Sequence, residues 1–180
     1  MPNGIFNKVL TGCGGTTIAL EDNRKTIICS PRITLLKNKH EQYPNTMLVI
    51  GGINKSEIAN YIDSVDIPKI LVTYDSLYKV LDIITDMNNW HIVVDEFQCI
   101  LTDSSLKSVT EMNFLYGLTG IKNITFMSAT PLLNKYISQI DMLKDMPYYE
   151  CKFTDTYKVN VFRRKVNKPV NKGIEIIEMY

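Results

Sequence analysis

No stretch of this sequence approaches the roughly 20 consecutive apolar residues that a membrane-crossing helix needs, and no membrane association is expected. The start, Met1-Pro2-Asn3-Gly4, has no charged segment leading into an apolar one, so no secretory signal is expected. Net charge is nearly absent. Twenty Lys and Arg against 19 Asp and Glu leave +1. A wholly basic nucleic-acid coat is thereby excluded, and any nucleic-acid contact must come from a local patch. Cysteine is scarce: Cys13, Cys29, Cys99 and Cys151 form no CxxC pair and no zinc spacing. Reduced thiols and a cytoplasmic location are expected. The two histidines, His40 and His91, lack metal-like spacing and are expected at the surface and at the start of a strand. Internal repeats and low-complexity segments are also missing. What remains is 180 residues, 45% hydrophobic and 22% charged, the balance of one globular domain with a sizeable core.

Short apolar runs alternate with longer polar or amphipathic stretches. Strands are expected at residues 8–10, 26–29, 47–50, 70–73, 92–94 and 124–127. These runs are rich in Val and Ile and do not alternate, a sign of burial on both faces. Helices are expected over 16–20, 33–39, 55–62 and 77–87, the last with Leu77, Val80, Leu81 and Ile84 at helical spacing. Strands alternating with helices imply an α/β domain with a mostly parallel sheet and right-handed crossovers. The tail reads differently. Strands are expected at 149–153 and 158–162, followed by a basic stretch (Arg163, Arg164, Lys165, Lys168, Lys172) interrupted by Pro169, which reads as a linker. The expected organisation is a domain over 1–147 and a C-terminal segment over 148–180 leading toward a second domain.

Three segments carry chemistry. Asp95-Glu96-Phe97-Gln98 follows the apolar run 90–94. Adjacent carboxylates at the end of a buried strand suit Mg²⁺ binding by the first and polarisation of a water by the second. The plainer alternative is an ordinary strand-end turn. Gly12-Cys13-Gly14-Gly15-Thr16-Thr17 lies upstream, after a short apolar run. Glycines there let successive backbone N–H groups curl around phosphate oxygens. A full phosphate loop carries Lys directly before its Ser or Thr. Aligned on the hydroxyl, Thr16 is the Mg²⁺ candidate and Gly15 occupies the Lys position. Lys8 and Lys25 are candidate substitutes, and nothing in the sequence places either. A Gly-rich turn without a ligand is the alternative. If the loop is a phosphate cradle, Gly15→Lys is expected to tighten nucleotide binding. Ser128-Ala129-Thr130 follows the run 124–127, where small hydroxyls can bond the Asp-Glu turn and report the terminal phosphate. The alternative there is a Ser/Thr turn before Pro131.

Together these segments resemble the first motor domain of superfamily-two helicases, the DEAD/DEAH-box-like group, from Lys8 to about Pro147. The resemblance implies a three-layer P-loop NTPase (RecA-like) domain using ATP and Mg²⁺. It implies Asp95 and Glu96 as catalytic residues, with Thr16 and Asp95 on the metal. Gly12, Cys13, Gly14, Gly15, Thr16 and Thr17 would surround the phosphates, and Ser128, Ala129 and Thr130 would couple the site to its surroundings. Ser30-Pro31-Arg32 resembles the family segment that grips a nucleic-acid backbone, and Val72-Thr73-Tyr74-Asp75-Ser76-Leu77 resembles a second element on the same strand. Pro31, Arg32, Thr73 and Tyr74 are thus the nucleic-acid candidates, through phosphates rather than bases. The implied partner strand is nucleic acid, and the resemblance does not choose between DNA and RNA or between single and double strands. The implied partner is a second motor domain, in the same or another chain, that supplies arginine fingers and half of the ATP cleft. Three departures stand: the loop Lys is absent, the adenine-recognising Gln element has no room before the loop, and the second motor domain is outside these residues. Two functions stay open. One is the ATP-binding half of a nucleic-acid-dependent ATPase. The other is a degenerate P-loop scaffold that binds nucleic acid or protein without hydrolysis. A small-molecule kinase is disfavoured, since nothing resembles a substrate-phosphate lid.

Overall fold

The structure, a computed structural model, describes residues 1–102, 109–130, 137, 138 and 140–152. Seven strands form one sheet: β1 (Gly4–Asn7), β2 (Lys25–Cys29), β3 (Met47–Val49), β4 (Lys69–Val72), β5 (Trp90–Val94), β6 (Ile124–Ser128) and β7 (Tyr148–Glu150). Their order is β3-β4-β2-β5-β6-β1-β7, and every pairing is parallel. Helices α1 (Gly15–Glu21), α2 (Ile33–Gln42), α3 (Lys55–Ser64), α4 (Leu77–Leu81), α5 (Gln98–Thr102) and α6 (Val109–Leu118) connect them.

The period of two along each strand divides the core. Ile27, Ile70, Ile92 and Phe126 point to the face covered by Ile58 of α3, Val80 of α4 and Phe114 of α6. Ile28, Leu71, Val93 and Met127 point to the other face, covered by Ala19 and Leu20 of α1 and Leu36 of α2. Both faces are therefore dry, which is why the central strands read as unbroken apolar runs. The result is the three-layer α/β fold expected from the sequence. Because all strands run one way, residues 8, 30, 73, 95 and the end of β6 reach the same edge of the sheet.

The first strand lies earlier than expected. It is Gly4–Asn7, with Ile5 fully buried, while Val9 and Leu10 of the expected strand 8–10 are exposed. Pairing decides this: Gly4–Asn7 matches Thr125–Ser128 residue for residue, and Lys8 N–H then closes the ladder onto the Ser128 carbonyl at 2.7 Å. The helix expected over 77–87 stops at Leu81. Beyond it Asp86 takes Asn89 Nδ2 at 3.2 Å and Trp90 Nε1 at 3.3 Å, fixing a turn that aims β5 into the sheet. Helices α5 and α6 were not expected; α6 (VTEMNFLYGL) has no single apolar stripe to betray it. The strand expected at 149–153 is found at Tyr148–Glu150, alongside β1. The strand expected at 158–162 and the basic stretch after it lie outside the described residues.

His91, the second residue of β5, sits at the start of a strand as expected, and it is buried there. It is only 2% exposed. Arg24 Nη1, which can only donate, lies 3.2 Å from His91 Nδ1, so the ring proton belongs on Nε2, which donates to Thr125 Oγ1 at 2.9 Å. Thr125 Oγ1 in turn donates to the Pro2 carbonyl at 2.8 Å. Burial first, and the Arg24 guanidinium second, push the imidazole down to about 4. A folded value below the unfolded 6.5 means that the unfolded chain takes up the proton first. Stability contributed by neutral His91 is therefore complete above pH 6.5 and falls as the pH drops toward 4. Urea unfolding at pH 7.5 and 4.5 is expected to lose roughly 2–3 kcal/mol more in the natural chain than in His91→Gln. An equal loss in both would remove His91 from this role.

Candidate functional site

At the shared strand edge a recess of about 180 Å³ opens between the glycine loop, α2 and the end of β5. The loop leaves β1 abruptly. Val9 has φ 62, and Leu10 N–H returns to the Lys8 carbonyl at 2.6 Å. A β-branched residue at positive φ is strained. Gly12 (φ 72) and Gly14 (φ 84) then carry the chain through left-handed conformations with open space beside them. Gly15 differs: it opens α1 without a left-handed φ, and its constraint is spatial.

Asp95 anchors the floor. Lys8 Nζ donates to its Oδ1 at 2.6 Å and Thr16 Oγ1 to its Oδ2 at 3.0 Å. Glu96 N–H also donates to Oδ1, at 3.0 Å. The Asp95 carbonyl accepts from Tyr74 Oη at 2.6 Å. Loop, helix α1 and strand β5 are thus tied through one carboxylate. Glu96 follows with φ 58, the other positive-φ residue besides Val9 and the glycines among the described residues. That turn aims its carboxylate toward the mouth, where Gln98 Nε2 donates to it and Arg32 Nη2 lies 3.7 Å away.

The sequence candidates divide. Gly12, Cys13, Gly14, Gly15, Thr16, Thr17, Asp95 and Glu96 come together around the recess. Pro31 and Arg32 are exposed beside it. Thr73 is 3% exposed, and its Oγ1 has no partner among the described residues. Tyr74 is a correction: its ring is buried, stacked on Phe114 at 4.2 Å, and its hydroxyl is spent on Asp95, so it does not face a nucleic acid. The Ser128 hydroxyl follows the alternative reading, a Ser/Thr turn before Pro131, and does not reach the Asp-Glu turn. It donates to the Thr130 carbonyl at 2.7 Å and accepts Thr130 N–H at 3.0 Å, closing a local turn around Ala129. Backbone does the joining instead: the Ser128 carbonyl takes Lys8 N–H, and the Met127 carbonyl takes Phe97 N–H at 3.0 Å. Lys25 is at the opposite edge, 3.7 Å from Asp86 and over the Trp90 ring, and cannot serve the loop. Lys39 is a recess residue that sequence reading missed. Its Nζ donates to Thr17 Oγ1 at 3.1 Å. It lies one helical turn after Leu35, which also lines the recess, so helical spacing from Leu35 is the signal that points to it.

No family model matches the sequence, and no curated protein does. Among solved structures the chain is similar to Mss116p with its NTE and C-tail deleted, bound to ssRNA and AMP-PNP. The TM-score is 0.57 at 15% identity, over 83% of this chain and 36% of that one. This chain therefore spans little more than a third of that one. The likeness establishes the fold, which is RecA-like.

The Tyr74 hydroxyl supports the turn that carries Asp95. Tyr74→Phe leaves a buried carbonyl without its donor and is expected to cost about 1–3 kcal/mol in urea unfolding. An unchanged midpoint would show that water replaces the hydroxyl.

Proposed function

We propose that this chain is the ATP-binding half of a helicase-like, nucleic-acid-dependent ATPase. One observation carries the reading. Thr16 and Asp95, 79 residues apart, bring a hydroxyl and a carboxylate into contact on the floor of a glycine-loop recess. Hard oxygen donors of this kind suit Mg²⁺, and a loop with two left-handed glycines suits phosphate. The neighbour's AMP-PNP and ssRNA are consistent with a nucleotide and a nucleic acid on this fold.

Thr16 and Asp95 would hold Mg²⁺, which would supply positive charge against the phosphates. Gly12, Cys13, Gly14, Gly15 and Thr17 line the phosphate path. Glu96, at the mouth, orients and polarises the attacking water. Pro31 and Arg32 form a backbone-binding strip along the same sheet edge, whereas Thr73, like Tyr74, is buried behind it. Arg32 approaches Glu96, so a nucleic-acid phosphate drawing on this guanidinium changes the surroundings of the water-polarising carboxylate. The Arg32 side chain is 62% exposed and 3.7 Å from Glu96, so the guanidinium is free to be exchanged. The Met127 and Ser128 carbonyls couple the loop to the Asp-Glu turn. A second motor domain supplies the arginine that this site needs.

Two variants separate the carboxylates. Asp95→Asn is expected to abolish the Mg²⁺ dependence of fluorescent-ATP binding. Glu96→Gln is expected to spare binding and to stop hydrolysis in the complete two-domain protein. Small and equal effects would reduce both to a structural strand end. Without a partner arginine, worth ~10³–10⁵ in rate, phosphate release by these 180 residues should stay low even with single-stranded DNA or RNA. Robust stimulated turnover would overturn the half-site picture. Absence of nucleotide binding in the natural chain would favour the scaffold reading instead.

A further inference from the structure

We infer that Lys8, at the end of β1, supplies the phosphate-facing ammonium that position 15 lacks; this rests on the nucleotide-site reading above. Lysine is among the residues least often buried. Lys8 is nonetheless 7% exposed, in the wall of the recess, with its Nζ on Asp95. A Cβ placed on Gly15 would meet Lys8 Cδ at 3.3 Å and Met127 Sδ at 3.0 Å. The Lys8 stem thus occupies the volume that a side chain at 15 would need. Glycine at 15 and lysine at 8 are two halves of one arrangement, and the missing motif lysine is a relocation.

Backbone strain points the same way. The two positive-φ residues other than glycine among the described residues are Val9 and Glu96. Each directly follows one member of the Lys8–Asp95 pair. Strained backbone of this kind persists where the surrounding structure fixes a geometry in use. The turn at Val9 ends β1 so that Lys8 can lean beneath the loop. Without ligand, the ammonium neutralises buried Asp95. Lys8 lines the same recess, and rotation of its own side chain would turn the ammonium from Asp95 to phosphate oxygens there. Asp95 would otherwise be buried without a counter-charge, so the lysine protects the empty site as well as serving the filled one.

The test is titration of mant-ATP into the full chain with Mg²⁺, with melting temperatures measured alongside. Lys8→Met is expected to weaken binding about 10- to 100-fold, the range for one charge-assisted hydrogen bond. The double variant K8A/G15K returns the ammonium by the ordinary route and is expected to recover most of that loss. A residue needed only to neutralise Asp95 would show a lowered melting temperature without this exchange of affinity. Gly15→Lys alone, which keeps Lys8, is expected to bind no tighter than the natural chain, because both stems claim one volume. That reverses the expectation drawn from the sequence. Equal affinity of the natural chain and Lys8→Met would overturn the relocation and leave the nucleotide site standing. A tenfold gain in Gly15→Lys alone would also overturn it. If the natural chain binds mant-ATP neither with nor without Mg²⁺, the nucleotide site itself is refuted.

Discussion

The carboxylate of Asp95 is the constraint on which the site depends. Four segments distant in sequence converge on this residue: Lys8 from β1, Thr16 from α1, Tyr74 after β4, and the strand β5 itself. Carrying a charge into such a setting is costly unless it is paired and fully bonded. Here the pairing is met from outside β5, so the strand end, the loop and the first helix cannot be positioned independently. Removing one partner of a buried pair of this kind typically costs about 3–5 kcal/mol. The carboxylate proposed to hold the cation therefore also ties the walls of the recess together.

The central sheet was legible because burial on both faces writes a local signal. Ile27, Ile28 and Cys29, or Ile92, Val93 and Val94, need no neighbour to be read as a strand. Asp95 and Glu96 were legible for the same reason, since carboxylates stand out at the end of such a run. What failed was information held by partners elsewhere. Val9 and Leu10 are more apolar than Gly4 and Asn7, yet strand β6 pairs with the latter. Tyr74 looked like a surface residue until its hydroxyl met a carbonyl 21 positions away. Lys8 could be named as a substitute cation, but its place rests on a turn at Val9 that no propensity favours.

The parallel sheet also separates two kinds of polar network. One edge carries the recess. The other carries Arg24, His91 and Thr125 in a chain, with Lys69 Nζ bonded to the carbonyls of Asp22 and Arg24 and to Thr26 Oγ1. Lys69 thereby closes the carbonyl end of α1, the helix whose other end borders the glycine loop. Burial lowers the Lys69 ammonium from its usual range, and Asp22 works against that shift. Among the described residues, neither positive-φ residue other than glycine lies on this second edge. Its Arg24, His91, Thr125 and Lys69 side chains all have hydrogen-bond partners.

This separation gives the molecule two mutational economies. Changes along the Arg24–His91–Lys69 edge act on how long the chain stays folded and leave the recess its shape. Changes along the Lys8–Asp95 edge act on stability and on the shape of the recess together. A lineage could thus alter the glycine loop while a separately satisfied foundation carried the fold through the intermediate sequences. The distance between the two edges is the length of a strand, and that length is what makes such drift survivable.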